Sequence, residues 1–443
     1  MAPVFWLACG VIAYVYLGYP LLLRVWARFG ARGSRLGARA SGLAARDSGL
    51  ETPSVSFVIA ARNEGRRILG RVENIEQLDY PADKRQIILV SDGSTDDTHE
   101  VFEQLWAEGR AICIELPEGG KARALNGGIV HATGDLLVFA DVRQGFAPDA
   151  LRALVAPFRD AHVGAVSGEL VLTGESRDRR SEEDRRNDDD RRFTDDRRGV
   201  LRQSAGQRKG ARRWASRRAA IESTIADGVG LYWRYEKQIR RDESTTGSVV
   251  GATGAIYAMR RSLWEPLPPD TILDDVLTPM RVVMAGSRVV FEERACAFDR
   301  TARDAGAEGR RKLRTLAGNY QLLWLEPRLL LPWRNPAWLQ FMSHKVARLV
   351  VPYVLPLVFA LSGLLARASA IYAAAFALQC VFYALAAYGS WLEHQANAPR
   401  PVPAPRLVAP VNRVARLALM FIVMNKSAVD GLVAIATRQK VWR

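Results

Sequence analysis

The sequence predicts an α/β protein, a mostly parallel sheet flanked by helices and carried on apolar helices that enter a membrane. Two observations lead there. Short apolar, β-branched runs end in polar loops and alternate with helical stretches, which is how parallel strands joined by crossover helices read. Four further stretches, residues 4–23, 346–366, 368–392 and 417–436, stay apolar over roughly the 20 residues that cross a bilayer core. A chain of 443 residues has room for one domain with a sizeable core beside these spans.

Taken in order, residues 1–25 form the first span. No basic residue precedes it and no small-x-small site follows it, which argues against a cleaved signal peptide. Arg24, Arg28, Arg32, Arg35 and Arg39 do follow, and by the positive-inside rule they place the next segment in the cytoplasm of a multi-pass inner (plasma) membrane protein. Residues 26–52, rich in Arg, Gly, Ala and Ser, have no periodic apolar face and read as a basic linker. The domain proper runs over 53–315, with buried strands at 54–60, 86–91, 111–116, 135–140 and 164–173 and helices at 64–78 and 148–159. From 175 to 218 Arg alternates with Asp and Glu, and the apolar residues are too few for a core, so a disordered or loosely helical insertion is expected. Order resumes near Tyr232 to Glu236. Residues 316–344, rich in Leu and Trp, predict amphipathic helices that seat the domain on the membrane. Two spans at 345–392 are entered past Lys345 and Arg348 and joined by an outward turn at 367–369. A Pro-rich linker at 393–416, with Arg400, Arg406, Arg413 and Arg416, follows on the inside. The last segment, 417–443, carries Asn425, Lys426 and Asp430, the latter two spaced to pair on one helix face; it crosses within a bundle or lies partly at the interface.

The formal charge of +15 comes mostly from Arg. Because the basic residues flank apolar spans, membrane lipid is the expected partner rather than nucleic acid. Cys9, Cys113, Cys296 and Cys380 are isolated, form no paired ligand motif and read as reduced structural thiols.

Five segments carry the chemistry. They are Ser56-Phe57-Val58-Ile59-Ala60-Ala61-Arg62-Asn63-Glu64, the run from Val90 to Thr98 around Asp92-Gly93-Ser94, Lys121-Ala122-Arg123-Ala124-Leu125-Asn126-Gly127-Gly128, Phe139-Ala140-Asp141, and Leu273-Asp274-Asp275. The first four lie at or just after strand ends, the edge at which parallel α/β sheets bind ligands. Asp92-Gly93-Ser94 by itself is a turn, and Asp96 and Asp97 suit a helix N-terminus. Lys121 lies on a glycine-rich stretch where a cation can meet phosphate oxygens. Asp274 and Asp275 suit a first helical turn, a place compatible with proton transfer.

In this order the five segments resemble the family 2 inverting glycosyltransferases, over about residues 54–324 apart from the insertion. The resemblance implies the Rossmann-like nucleotide-sugar (GT-A) fold and transfer of a sugar from a nucleotide-diphosphate donor, a UDP-sugar, to a growing polysaccharide or cell-envelope glycan. It implies that Ala60, Arg62, Glu64 and Asp92 bind the donor, with Asp92 on the base, and that Lys121 and Asp141 lie near its pyrophosphate. Asp275 is implied as the general base with Asp274 beside it, and Arg281 stands where that family often has Arg. Thr253 and Gly254 would line the acceptor site. Asp141 matches the first acid of the family's Asp-x-Asp, which holds Mg²⁺ or Mn²⁺, but the third position is Arg143. Chain-building members carry Gln-x-x-Arg-Trp; here Arg311-Lys312-Leu313-Arg314-Thr315 keeps only the arginine, Arg314, to hold pyrophosphate. Loss of the Gln and Trp favours the alternative of transferring one sugar to a lipid-linked acceptor. A non-catalytic component of a glycan synthesis or export complex is a third reading, opposed by the retained Lys121 and Asp275. Three or four spans without an internal repeat oppose a transporter.

Overall fold

The computed structural model describes residues 1–29, 52–173, 229–300, 305–396 and 409–437, so the expected charged insertion lies outside the described residues. The domain is organised by one eight-stranded sheet. Its strands are β1 (Val55–Ala61), β2 (Arg85–Asp92), β3 (Ile112–Leu116), β4 (Leu136–Ala140), β5 (Gly145–Phe146), β6 (Val163–Thr173), β7 (Ile256–Arg260) and β8 (Arg288–Arg300), in the order β3-β2-β1-β4-β7-β6-β8-β5. The first four pair in parallel, as do β6 and β8. Antiparallel pairing enters where β7 inserts between β4 and β6 and where β5 closes the far edge.

Helices α2 (Gly65–Glu76), α3 (Thr98–Ala107) and α4 (Lys121–Ile129) are the crossovers of the parallel half. Because β1 and β4 are covered on both faces, their sequences are continuous apolar runs rather than alternating ones. On one face Ile68, Val72, Ile75, Phe102 and Leu105 pack on Phe57 and Leu89; on the other Leu125, Leu277, Met280 and Leu322 pack with Val58 and Tyr257. Gly128 lets α4 come down on the sheet, since a Cβ there would lie 2.7 Å from Val90 and 2.9 Å from Val58.

Three sequence expectations shift. The helix expected over 148–159 is α5 (Ala150–Val155) followed by a tight 3₁₀ turn (Ala156–Arg159), where Pro157 withholds its N–H. Strands β7 and β8 were not anticipated, because their apolar runs lie far along the chain from the βα repeat. The boundary expected at 315/316 falls inside one continuous helix, α8 (Ala305–Leu325), which follows α6 (Val229–Thr246) and α7 (Asp274–Met284).

Among the described residues four helices are long and apolar enough to cross a membrane: α1 (Ala2–Phe29), α9 (Trp338–Leu365), most of α10 (Ala370–Ala396) and most of α11 (Ala409–Ala436). A buried polar cluster ties α1, α6 and α9 together. His344 on α9 places Nδ1 2.7 Å from Glu243 Oε1 and Nε2 3.1 Å from Glu236 Oε2, both on α6. Tyr19 on α1 donates to Glu243 at 2.7 Å, and Arg348 donates to Glu236 at 2.5 Å.

Candidate active site

The site forms where the carboxyl ends of β1, β2 and β4 meet the start of α7. The β1 loop is held in place by Asn63, whose φ of +54° lies in the left-handed region that Asn tolerates better than most residues. Asn63 Oδ1 accepts from the Thr95 N–H at 2.8 Å and its own N–H donates to Ser94 Oγ at 3.1 Å, so the first two loops are clipped together. Asp96 receives the Gly65 N–H at 3.2 Å and the Thr98 hydroxyl at 2.5 Å, an N-terminal cap shared between α2 and α3. Arg62 is exposed and donates to Glu118 at 2.9 Å. Glu64 accepts from Arg67 at 2.5 Å, and Ala60 sits half-buried at the end of β1. A cleft of about 570 Å³ opens here, lined by Asn63, Glu64, Arg66, Arg67, Asp96 and Asp97.

Asp92 closes β2, and its carboxylate is buried. Oδ1 accepts the N–H groups of Gly119 and Gly120 at 2.7 and 2.9 Å, and Gly120 also reaches Oδ2 at 3.0 Å. The loop ahead of α4 is thereby fixed, with Gly120 at φ +87°. Lys121 is the first residue of α4 rather than part of a loose loop, and its side chain projects into a set of acids. Its Nζ lies 3.2 Å from Asp141 Oδ1, at the end of β4, and 3.4 Å from Asp274 Oδ2, at the start of α7. These three residues come together from three separate segments of the sequence.

Asp275 stands on the neighbouring side of the same turn. Its backbone carbonyl accepts the Ala252 N–H at 2.7 Å and its Oδ2 accepts the Gly254 N–H at 3.0 Å. Thr253 is fixed by donating its N–H to Ser167 Oγ at 3.1 Å. The structure therefore brings Gly254 against the expected base, with Thr253 next to it in the chain. A side chain at Gly254 would crowd Asp275, because a Cβ there would lie 3.1 Å from Oδ2.

The electrostatics follow from this crowding. Burial, and then the charge of Asp274, push the Asp275 carboxyl up to about 6, while Lys121 and Lys345 pull the other way. For Lys121 burial works against the charged form, but Asp141, Asp274 and Asp275 together outweigh it and hold the ammonium firmly protonated. The site thus pairs a permanent cation with a carboxylate poised to accept a proton near neutrality.

The donor set also bears on the expected divalent ion. Asp141 is about one-third exposed, and the Asp274 Oδ2 atom is buried with no hydrogen-bond partner, 3.4 Å from the Lys121 ammonium. Hard ions of this kind take one or two protein carboxylates and complete their shell from substrate phosphates and water, so these residues fit one. Arg143 is exposed and supplies no carboxylate. No cluster of three or more metal-ligating side chains exists among the described residues.

Two expected residues stand apart from this group. Arg281 is used structurally, donating to the Pro266 carbonyl at 2.9 Å between Glu265 and Glu326, each 3.5 Å away. Arg314 is exposed on α8, one turn before Gly318, and Gly318 packs directly against Leu273 and Ile272; the two residues share a helix stripe beside the acid pair. Sequence reasoning missed Tyr257, whose ring stacks on Phe139 at 4.6 Å and whose phenol is held well above its usual range by burial and by Asp274 and Asp275. It also missed Arg71, buried over the Phe146 ring at 4.0 Å and feeling the charge of Asp141. An arginine at an apolar position of an amphipathic helix was the available signal for the latter.

Comparison with known proteins bears on the sequence and the fold. Residues 56–265 match the sequence model of glycosyl transferase family 2. Over 120 residues the chain is 33% identical to a poly-β-1,6-N-acetyl-D-glucosamine synthase of Staphylococcus aureus, covering 27% of this chain and 29% of that protein. Over 128 residues it is 30% identical to a β-monoglucosyldiacylglycerol synthase of Synechocystis, covering 28% and 27%. The chain thus spans less than a third of the length of these relatives. The fold is similar to that of the mannosyltransferase PcManGT from Pyrobaculum calidifontis, solved with GDP-mannose and Mn²⁺, with a TM-score of 0.59 at 20% identity over 99% of this chain and 100% of that one.

Proposed function

From the match of residues 56–265 to the glycosyl transferase family 2 model, we propose that the protein is a membrane-anchored, inverting glycosyltransferase that takes a sugar from a nucleotide-diphosphate donor, a UDP-sugar, at the cytoplasmic face. The observation that carries this reading is the convergence of Lys121, Asp141 and Asp274 beside Asp275, at the carboxyl edge of the parallel strands. That edge is where such sheets take nucleotides. The cleft at Glu64 and the loops fixed by Asn63 and Asp92 would receive the base and ribose.

In the reaction the acceptor hydroxyl lies against Thr253 and Gly254, within reach of Asp275. As its oxygen bonds to the anomeric carbon, its proton passes to Asp275, and the bond from that carbon to the pyrophosphate oxygen breaks on the opposite face. One carboxylate suffices for a single in-line displacement, and the configuration inverts. The hydrogen bond from Gly254 fixes the acid so that its proton-accepting position does not have to be found at each turnover. Lys121 carries positive charge toward the leaving group without titrating. Asp141, with Asp274 behind it, would hold a divalent ion, which when bound supplies charge neutralisation at the pyrophosphate. The mannosyltransferase of similar fold, solved in complex with Mn²⁺, supports a divalent cofactor.

The product we infer is an exopolysaccharide or cell-envelope glycan, supported by the synthase from Staphylococcus. Transfer of a single sugar to a lipid-linked acceptor is the second reading. It is favoured by Thr315 standing where chain-building members have Trp, and by the glycolipid synthase among the relatives. Membranes containing the protein, incubated with a panel of radiolabelled nucleotide sugars, should label a lipid-extractable or polymeric product with one donor. Absence of label with every donor would overturn the reading, and product length separates its two forms.

A further inference from the structure

We propose that α11, the last apolar helix, does not cross the membrane but lies in its plane at the domain-facing end of the bundle, where it braces α8 against the acid pair. The argument is one of levels. Helices α9 and α10 are antiparallel neighbours joined by a short turn, and Ser362 faces Gln379 while Phe359 faces Tyr383. By that register Gly389 lies level with about Pro352. Helix α11 begins there, with Tyr388 donating to Asn412 at 3.1 Å and Gly389 packed directly on the carbonyl of Ala415. Its middle reaches slightly deeper, with Phe421 5.7 Å from Phe382 and 5.4 Å from Tyr16. Ile422, Asn425, Lys426 and Val429 then line a cleft with Pro352 and Pro356. Near its end Gly431 packs against the backbone of Ala317, three residues from Tyr320, whose hydroxyl donates to the Leu349 carbonyl at 3.3 Å.

The start of the helix therefore lies level with about Pro352, its middle rises only to about Phe359, and its end rests on Ala317 of α8, whose neighbour Tyr320 reaches α9 at Leu349. Residues 415–431 are roughly 24 Å long at 1.5 Å per residue, whereas the α9 levels marked by these neighbours, Leu349 to Phe359, span only roughly 15 Å. A helix running along the bundle axis would have ended at the opposite face. The charged residues agree. Lys426 and Asp430 pair at 2.6 Å with exposed side chains, which is costly in mid-bilayer but ordinary one or two turns from Arg348 and the polar cluster, where a lysine can reach headgroups.

This placement puts a glycine on each side of α8. Gly431 allows α11 to approach Ala317, and the adjacent Gly318 allows Leu273, the residue before Asp274, to approach from the other side. The in-plane helix is thus two contacts from the acid pair, and Gly431 is a positioning residue for it. Only this second step rests on the proposed catalytic role of Asp275.

The topology is tested without any sugar transfer, by labelling single cysteines in the full-length chain with a membrane-impermeant maleimide. A cysteine added after Arg443 should react from the same side as Trp106→Cys in the domain and from the side opposite Ala368→Cys in the outer turn. Reaction together with Ala368→Cys would overturn the placement. For the brace, Gly431→Leu should lower kcat on the order of 10-fold or more, leave the donor KM within about 2-fold, and move the acidic limb of the pH profile. Should that variant lose its cooperative melt, Gly318→Ala approaches the same contact from the other side and should give the same signature. An unchanged kcat and pH limb in the folded variants would overturn the brace while leaving the helix in plane.

Discussion

At the residue scale, the site depends on three acids that share one lysine. If Asp275 takes the acceptor proton, Asp275→Asn should reduce transfer by about 100-fold or more with little change in donor affinity, as read by steady-state kinetics and equilibrium binding. The carboxylate is active in its ionised form, so kcat should fall as pH drops through about 6. Asp274→Asn removes the like charge and should shift that limb to lower pH, whereas Lys121→Met removes an opposing charge and should shift it higher. The same raised value means that the folded state holds this proton more tightly than the unfolded one. The stabilisation is present below the ordinary carboxylate range and is lost as pH rises to about 6, so thermal melts of Asp275→Asn should lack that decline. Chelation by EDTA should abolish transfer if Asp141 holds a divalent ion; full activity in excess EDTA would assign the charge to protein cations alone. In that outcome Arg143→Asp, which restores the usual acid pair, should make transfer metal-dependent.

At the element scale, the parallel half was legible because each of its strands is an apolar run ending in a motif. Residues 55–61, 85–92, 112–116 and 136–140 fell within a residue or two of expectation. Their loops were harder to read. Asp92-Gly93-Ser94 read as a turn with a donor-binding acid, but the two backbone N–H groups that fill its carboxylate belong to Gly119 and Gly120 and come from the fold, not from local sequence. Lys121 read as a phosphate-seeking cation, and nothing near it in sequence shows that Asp141 and Asp274 will surround it. Strand β7 escaped because Ile256-Tyr257-Ala258-Met259 is short and its pairing with β4 bridges a long interval. The segment at 175–218 has no apolar set to bury, so its deletion should leave the melt cooperative and donor binding intact. Loss of the cooperative melt would make it part of the folded domain. Gly128→Val, in contrast, pushes α4 off Val58 and Val90 and should cost about 1–3 kcal/mol in denaturant titrations.

At the scale of the whole molecule, domain and membrane helices are joined by the buried cluster of Tyr19, Glu236, Glu243, His344 and Arg348. Removing one partner leaves a charge buried without compensation, so His344→Ala should destabilise the protein by about 3–5 kcal/mol, seen as a lower melting temperature in detergent. Tyr19→Phe deletes one hydrogen bond to Glu243 and should cost less, about 1–3 kcal/mol. The sheet order β3-β2-β1-β4-β7-β6-β8-β5 has a further consequence, in time rather than space. The ribosome completes β1 to β4 in one stretch, but β7 emerges roughly a hundred residues later, on the order of ten seconds at ordinary translation speed. Through that interval β4 has an open edge, an invitation to pair with other chains. Asp274 and Asp275, the acids proposed for catalysis, emerge later still, so no nascent chain can act on substrate before β7 is available to cover the β4 edge. Chains arrested ahead of residue 256 should therefore aggregate or be held by chaperones, and chains arrested beyond residue 300 should not.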